Sequence, residues 1–339
     1  MKQLFVLFLF FLLPEIVFSQ FSTNYTHIPR IDVHTHVPDN NQNISLFFDL
    51  RDHMLAEHQI DLSMWVDVTG RKDINSFQSV NRGRMLTCLS DFSPHRGMAF
   101  TPEEIVAKHK MGYGGFKIFY GPYERVLEER EEGFRYIDDA AHEPVFEAME
   151  KTGLPGASVH VADPNGPFGN RGNWAKDPVE FWRQILSLER VLHRHPDLVI
   201  VAAHGAWLMV QNAQIDFLRY LLSEYPNFHI DLAATFQYFD LVDHANLRDF
   251  MIEYSDRILF GTDIGRFDES LISERAARYS RAFQILETDQ IVEGSFFQMN
   301  PIQGLNLPED VLEKIYYKNA LKIYPGLKEM MNSLGYEMD

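Results

Sequence analysis

Ile31-Asp32-Val33-His34-Thr35-His36 sets two imidazoles two residues apart in a run of strand period. Side chains two apart on a strand share a face, so His34 and His36 are expected to point the same way. Two neutral imidazoles side by side at a strand's end are half of a tetrahedral or five-coordinate metal site. A surface strand with two incidental histidines would read the same locally, and the groups downstream decide between the two. Those groups stand at the ends of other apolar runs: Lys117 in 115–120, His160 in 157–161, His204 after 198–203, and Asp263 in Gly261-Thr262-Asp263 after 257–260. Arg171, Trp207, Arg266 and Tyr120 lie beside them and could orient a substrate carboxylate or sugar ring, with a loop salt bridge or packing contact as the plainer role of each.

The elements that must position these residues follow a repeating order. Apolar residues at helical spacing (Leu46, Phe47, Leu50, Met54, Leu55) predict a helix over 44–60, and 61–68 and 85–92 read as strands. Thr101-Pro102-Glu103-Glu104 is a helix start running to about Met111: a Thr cap, Pro at the first position, acids in the first turn. Strands at 115–120, 157–161, 198–203, 228–232 and 257–260 then alternate with helices at 143–151, 177–195, 211–225 and 240–254. Near-continuous apolar strands separated by helices imply parallel strands buried on both faces. Eight such units point to an α/β chain folded as one (β/α)8 TIM barrel, whose strand ends converge on a single mouth. Long loops at 121–141 and 162–176 follow strands four and five, and 288–339 forms a tail, helical from about Pro308. The acidic run Glu128-Glu129-Arg130-Glu131-Glu132 is expected to be a solvated helical face.

Composition narrows the function. The chain has 339 residues, 45% hydrophobic and 23% charged, with a formal net charge of −17. That charge argues against nucleic acid or an anionic membrane surface as partner. It leaves room for an anionic small-molecule substrate, because a local cation can override the global field. The one cysteine, Cys88, rules out an intrachain disulfide and a cysteine-based zinc site, and its apolar neighbours predict a small buried core residue. Residues 1–20 read as a signal peptide: Lys2 supplies the positive start, Leu4 through Leu13 are apolar, and Val17-Phe18-Ser19 precedes the cleavage point. The apolar run is about half of the ~20 residues a spanning helix needs, so no stable membrane anchor is expected. The expectation is therefore an exported domain of residues 21–339, periplasmic or secreted, with a homodimer as the base-rate assembly.

His-x-His after strand one, single histidines ending strands five and six, and Gly-Thr-Asp ending strand eight resemble the amidohydrolase superfamily. The likeness is to its amidohydrolase-related branch, which includes aminocarboxymuconate semialdehyde decarboxylase and related lactonases. Ile315-Tyr316-Tyr317-Lys318-Asn319-Ala320 is similar to that branch's C-terminal helix, and the resemblance spans residues 30–325. It implies that His34, His36, His160 and Asp263 hold one divalent metal ion, usually zinc, and that His204 activates water or polarises the reacting group. Three neutral imidazoles and a carboxylate would leave a position for water, acidified toward a pKa of about 7. Whether His204 or Asp263 acts as base stays open. Lys117 is read as a cation facing the substrate, with an ordinary structural lysine and a carboxylated bridge to a second metal as alternatives. The function implied is a metal-dependent hydrolase of an amide, ester or lactone bond in a small anionic or polyhydroxylated molecule. A decarboxylase or other lyase on the same site is the alternative, followed by a non-catalytic binding protein on the same scaffold.

Overall fold

The computed structural model describes residues 21–38, 41–69, 73–90, 92–93, 95–120, 130–166, 174–265, 268–294 and 300–338. The signal-peptide reading of residues 1–20 lies outside them. The described barrel strands are β1 (Arg30–Thr35), β2 (Leu62–Asp67), β3 (Met85–Thr87, resuming past Cys88 as Leu89–Ser90), β4 (Phe116–Phe119), β5 (Gly156–His160), β6 (Ile200–Ala202), β7 (Phe228–Asp231) and β8 (Ile258–Leu259). Each pairs in parallel with the next in sequence order.

The run 85–92, expected as one strand, changes partner in the middle. Its first piece pairs with β2 and its second with β4, so it joins a three-stranded to a six-stranded sheet. The switch happens across one residue: the Cys88 amide donates to Asp67 O, the Leu89 amide to Gly115 O. On the far side Thr35 bridges Ile264 in parallel. There the Val33, His36 and Asp263 amides donate to Phe260 O, Ile264 O and His34 O, closing the ring between β8 and β1. With its helices this is a (β/α)8 barrel.

The helices α1 (Asn41–His58), α2 (Ile74–Gln78), α3 (Pro102–Lys110), α4 (Glu143–Thr152), α5 (Pro178–Arg194), α6 (Asn212–Glu224), α7 (His244–Glu253) and α8 (Ile272–Glu287) follow the strands in turn. Local signals set several ends. Thr101 and Glu104 form a reciprocal capping box on α3, Asp177 caps α5 through the Val179 amide, and Gly153 closes α4 at φ 70°. The helix expected over 240–254 is two pieces: a 3-10 turn, Phe236–Leu241, and α7, which starts where the Asp243 carboxylate accepts from the Asn246 amide. Helices α2 and α8 are the ones that the sequence pattern did not single out. In α8, Arg275, Arg278 and Arg281 lie beside the buried stripe of Ala276, Tyr279, Phe283 and Leu286.

Outward-facing residues such as Phe116, Ile118, Phe228, Ile230 and Phe260 pack under the helices. Inward-facing Val33, Met64, Val66, Cys88, Val201 and Leu259 form a second cluster shared with Tyr324, Leu327 and Met331 of the tail. That tail is α9 (Glu309–Glu313), a π turn (Lys314–Lys318), α10 (Asn319–Ile323) and α11 (Leu327–Ser333). Tyr324 donates to Ala157 O at 2.9 Å, and Asn319 to the carbonyls of Ser255 and Ile258. The tail thus plugs the barrel at the strands' N-terminal ends, leaving the opposite mouth to the polar residues. A buried ion pair, Arg30 with Glu287 at 2.9 Å, ties β1 to α8. Thr23 and Tyr316 supply further bonds to the same carboxylate.

Of the run 128–132 expected as a helical face, residues 130–132 are coil and turn, and 128 and 129 lie outside the described residues. The Arg130 guanidinium lies 4.3 Å from the centre of the Tyr120 ring, a cation–π contact that draws it inward out of solvent.

Candidate metal centre

Strand β1 departs from strict alternation just where it carries its polar residues. Its pairing with β2 shifts register between Asp32 and Thr35. Asp32 consequently does not share a cluster with the two histidines. Its carboxylate accepts from the hydroxyls of Thr262 and Tyr279, the latter on α8. Burial drives the Asp32 carboxyl up to about 7, against those hydrogen bonds. His34 instead meets Asp231 through Nδ1 at 2.9 Å, and its ring lies 5.4 Å from that of His36, edge to face.

Asp263 reaches the same place from β8. At φ 61° it sits in the left-handed region, which aspartate tolerates better than most residues. Its amide donates to His34 O, which folds the residue back over β1. Asp263 Oδ1 then lies 3.1 Å from His36 Nε2 and 3.5 Å from His34 Nε2. Burial would raise the Asp263 carboxyl, but the His36 hydrogen bond and the surrounding imidazoles hold it well below the usual carboxylate range.

His204 opens a left-handed turn: φ is 59° at His204, 59° at Gly205, 53° at Ala206 and 56° at Trp207. Each non-glycine residue there costs roughly 1–2 kcal/mol. The turn is held by the His204 amide donating to Asp231 Oδ1 at 2.9 Å and by His204 Nδ1 donating to Ala233 O at 2.8 Å. The His204 ring is also stacked on Trp207 at 4.4 Å between centroids and on His34 at 4.9 Å. A carbonyl can only accept, so Nδ1 carries the hydrogen and neutral His204 keeps Nε2 bare.

Asp231 is the residue that the sequence reading missed. Fully buried at the end of β7, it accepts from His34 Nδ1, the His204 amide and the Ala233 amide. Burial pushes its carboxyl up, but His34 and these bonds win and hold it below the ordinary carboxylate value. A carboxylate ending an otherwise apolar strand was the available signal. By fixing the hydrogen on His34 Nδ1 it leaves His34 Nε2 free to act as a ligand. Burial, with Lys117 nearby, brings the His34 pKa down to about 4, so the ring is neutral at pH 7, the form that binds metal.

The other candidates fall into place around this core. Lys117 is held inside the barrel, its amine 3.1 Å from His34 Nε2 and 2.8 Å from Ser158 Oγ. Burial lowers its pKa to about 8, against the attraction of Asp263 and Asp231. Trp207 is buried against the His204 and His160 rings, its indole nitrogen 3.3 Å from His160 Nε2. Tyr120 turns away from the mouth: its hydroxyl donates to Arg96 O and bonds to His142, so it packs and does not face a substrate at the cluster. Arg171 and Arg266 lie outside the described residues.

Among the described residues, donor atoms of His34, His36 and Asp263 lie within 4.8 Å of one another, as do those of His34, His204 and Asp231. His160 joins neither group. Its ring lies 4.7 Å from that of His204, while its Nε2 is 3.1 Å from Ala162 O. Two imidazoles and an ionised carboxylate converging in this way fit a divalent metal ion.

Residues 103–326 match the family model described as "Amidohydrolase". No curated protein matches the chain. Similar solved structures include the apo form of an Agrobacterium tumefaciens protein, 12% identical over 87% of this chain and 95% of that one, with a TM-score of 0.49. An amidohydrolase from Burkholderia multivorans with bound zinc is 14% identical over 87% of this chain and 98% of its own, with a TM-score of 0.45. A 2,6-dihydroxybenzoate decarboxylase complexed with 2,6-dihydroxybenzoate is 14% identical over 90% and 99%, with a TM-score of 0.36.

Proposed function

Because the chain belongs to the amidohydrolase family, whose enzymes are metal-dependent, we propose that it hydrolyses an amide, ester or lactone bond in a small anionic or polyhydroxylated molecule. The observation that carries this reading is the convergence of His34 Nε2, His36 Nε2 and Asp263 Oδ1 at the barrel's C-terminal mouth. These three would hold one divalent ion, zinc by preference, with His160 the fourth ligand that the family resemblance implies. When bound, such an ion supplies a concentrated positive charge that acidifies water and polarises the bond under attack.

The chain's own groups handle the proton. Asp263 is ionised at neutral pH and accepts a proton from the attacking water. His204 is neutral, because burial lowers its pKa. With Nδ1–H committed to Ala233 O, its Nε2 is the atom able to take that proton on from Asp263 and pass it to the leaving group. Asp231 and the left-handed turn keep that ring from rotating. The proposal extends to export: Lys2 and the apolar run from Leu4 to Leu13 support removal of residues 1–20 and action outside the cytoplasm.

Metal analysis of the purified protein is expected to show about one equivalent of divalent ion, and His34→Ala to lose it. Turnover in 18O-labelled water should leave label in the product. Release of CO2 or of an unsaturated product without water uptake would replace hydrolysis by a lyase reaction. Two equivalents of metal with a carboxylated Lys117 would overturn the single-ion reading.

A further inference from the structure

Helix α5 is apolar on two sides. Phe181, Ile185, Leu188 and Leu192 are buried against the barrel. Val179, Trp182 and Leu186, at i, i+3 and i+7, form a second stripe on the outer side, where a barrel helix is ordinarily polar. Val179 is 58% exposed and Leu186 40%. The Trp182 ring meets Phe217 of α6 edge to face at 5.3 Å between centroids. Phe217 in turn lies 5.5 Å from Tyr220, which is 46% exposed. These contacts join the outer stripes of α5 and α6 into one apolar patch, the kind of surface that marks an interaction site.

Charge says which partner fits. In a chain of net charge −17, α5 and α6 together carry four arginines and four carboxylates, so this face is neutral. A basic partner finds no excess acid here, and an anionic membrane no excess base. A second copy of this acidic chain approaches without meeting its own net charge. Arg183 and Asp216, both exposed, adjoin Trp182 and Phe217 in the chain and flank the patch with opposite signs. Arg183 spends one nitrogen on Glu180, at 3.4 Å, and Asp216 has no ion pair among the described residues. A two-fold axis through the patch sets Arg183 of each copy against Asp216 of the other.

We propose that the outer face of α5 and α6 is the interface of a two-fold homodimer. Val179, Trp182, Leu186, Phe217 and Tyr220 form its water-free centre, and reciprocal Arg183–Asp216 pairs stand at its rim. Aromatic and aliphatic residues at the centre with charges kept to the edge are the usual anatomy of such an interface.

The test is sedimentation velocity of the purified protein over a concentration series. The wild type is expected to dimerise. Leu186→Glu and Tyr220→Glu, at exposed positions that leave folding intact, should each raise the dissociation constant about tenfold or more, because each buries a carboxylate in an apolar contact. Leu55→Glu, at an exposed apolar position on α1, should leave it unchanged. Arg183→Glu and Asp216→Arg each set like charges opposite one another and should weaken the dimer, and the two together should restore it. A chain that stays monomeric across the series, or a dimer indifferent to Leu186→Glu and Tyr220→Glu, would overturn the interface. Failure of the double reversal to restore what each single one loses would overturn the two-fold pairing. A monomer that floats with phosphatidylcholine vesicles, and ceases to in Leu186→Glu, would give this face to a membrane instead.

Discussion

Asp231 touches none of the atoms facing the mouth, yet it sets how two of the site's imidazoles are presented. It fixes the tautomer of His34 and the backbone of His204 at once. Asp231→Asn keeps the shape but offers an amide that can turn a donor toward His34 Nδ1. The expected result is roughly a 10–100-fold loss of divalent-ion affinity, read by competition with a chromogenic chelator, in a protein that still folds. Unchanged affinity would remove its positioning role. His142 behaves differently, as a titrating core residue. Buried beneath Tyr120 and beside Arg130, it has its pKa lowered by desolvation first and Arg130 second, to about 4. Between the ordinary value near 6.5 and about 4 the unfolded chain holds a proton that the folded chain refuses. Stability contributed by the neutral ring is therefore complete above about 6.5 and drains away as pH falls toward about 4, by up to about 3 kcal/mol. Urea unfolding at pH 7 and 4.5 should show a smaller drop for His142→Gln than for the wild type; equal drops would contradict this account.

At the scale of elements, the left-handed turn after β6 is the most exacting piece of backbone at the site. A Cβ on Gly205 would lie 2.7 Å from Met209 Sδ, and φ there is +59°. Gly205→Ala is expected to cost about 1–3 kcal/mol in thermal unfolding, strain and crowding together, and to lower activity by displacing His204. A neutral effect on both would mean that the turn relaxes freely. This turn was illegible in the sequence, where Ala203-His204-Gly205 read only as the end of a strand. The helix ends were legible, because caps act within a turn: Thr101 with Glu104, Asp177 before Pro178, Gly153 after α4. The register shift in β1 was not, because it depends on which residues of β2 lie opposite. Helix α8 escaped for a related reason. Its half-buried Arg275, Arg278 and Arg281 alternate with the apolar positions, and local periodicity does not show which neighbours they meet across the barrel wall.

For the molecule as a whole, the alternation of apolar runs and helices was enough to specify the barrel. The gathering of His34, His36 and Asp263 followed from the rule that strand ends share a mouth. What that rule left unsaid is how the ring is joined. One joint is the change of partner at Cys88; the other is the β8–β1 contact, where the Val33, His36 and Asp263 amides supply the bonds. His34 and His36 stand on one lip of that second joint and Asp263 on the other. A divalent ion gripped by all three would act as a rivet, binding first strand to last as it arms the site. Zinc loading should then slow deuterium uptake at those three amides far more than at Cys88 and Leu89, and uniform slowing would deny the link. Loss of the ion would accordingly be felt as a loosening of the barrel's own hoop, and the protein should resist heat and proteolysis in proportion to the divalent metal it holds.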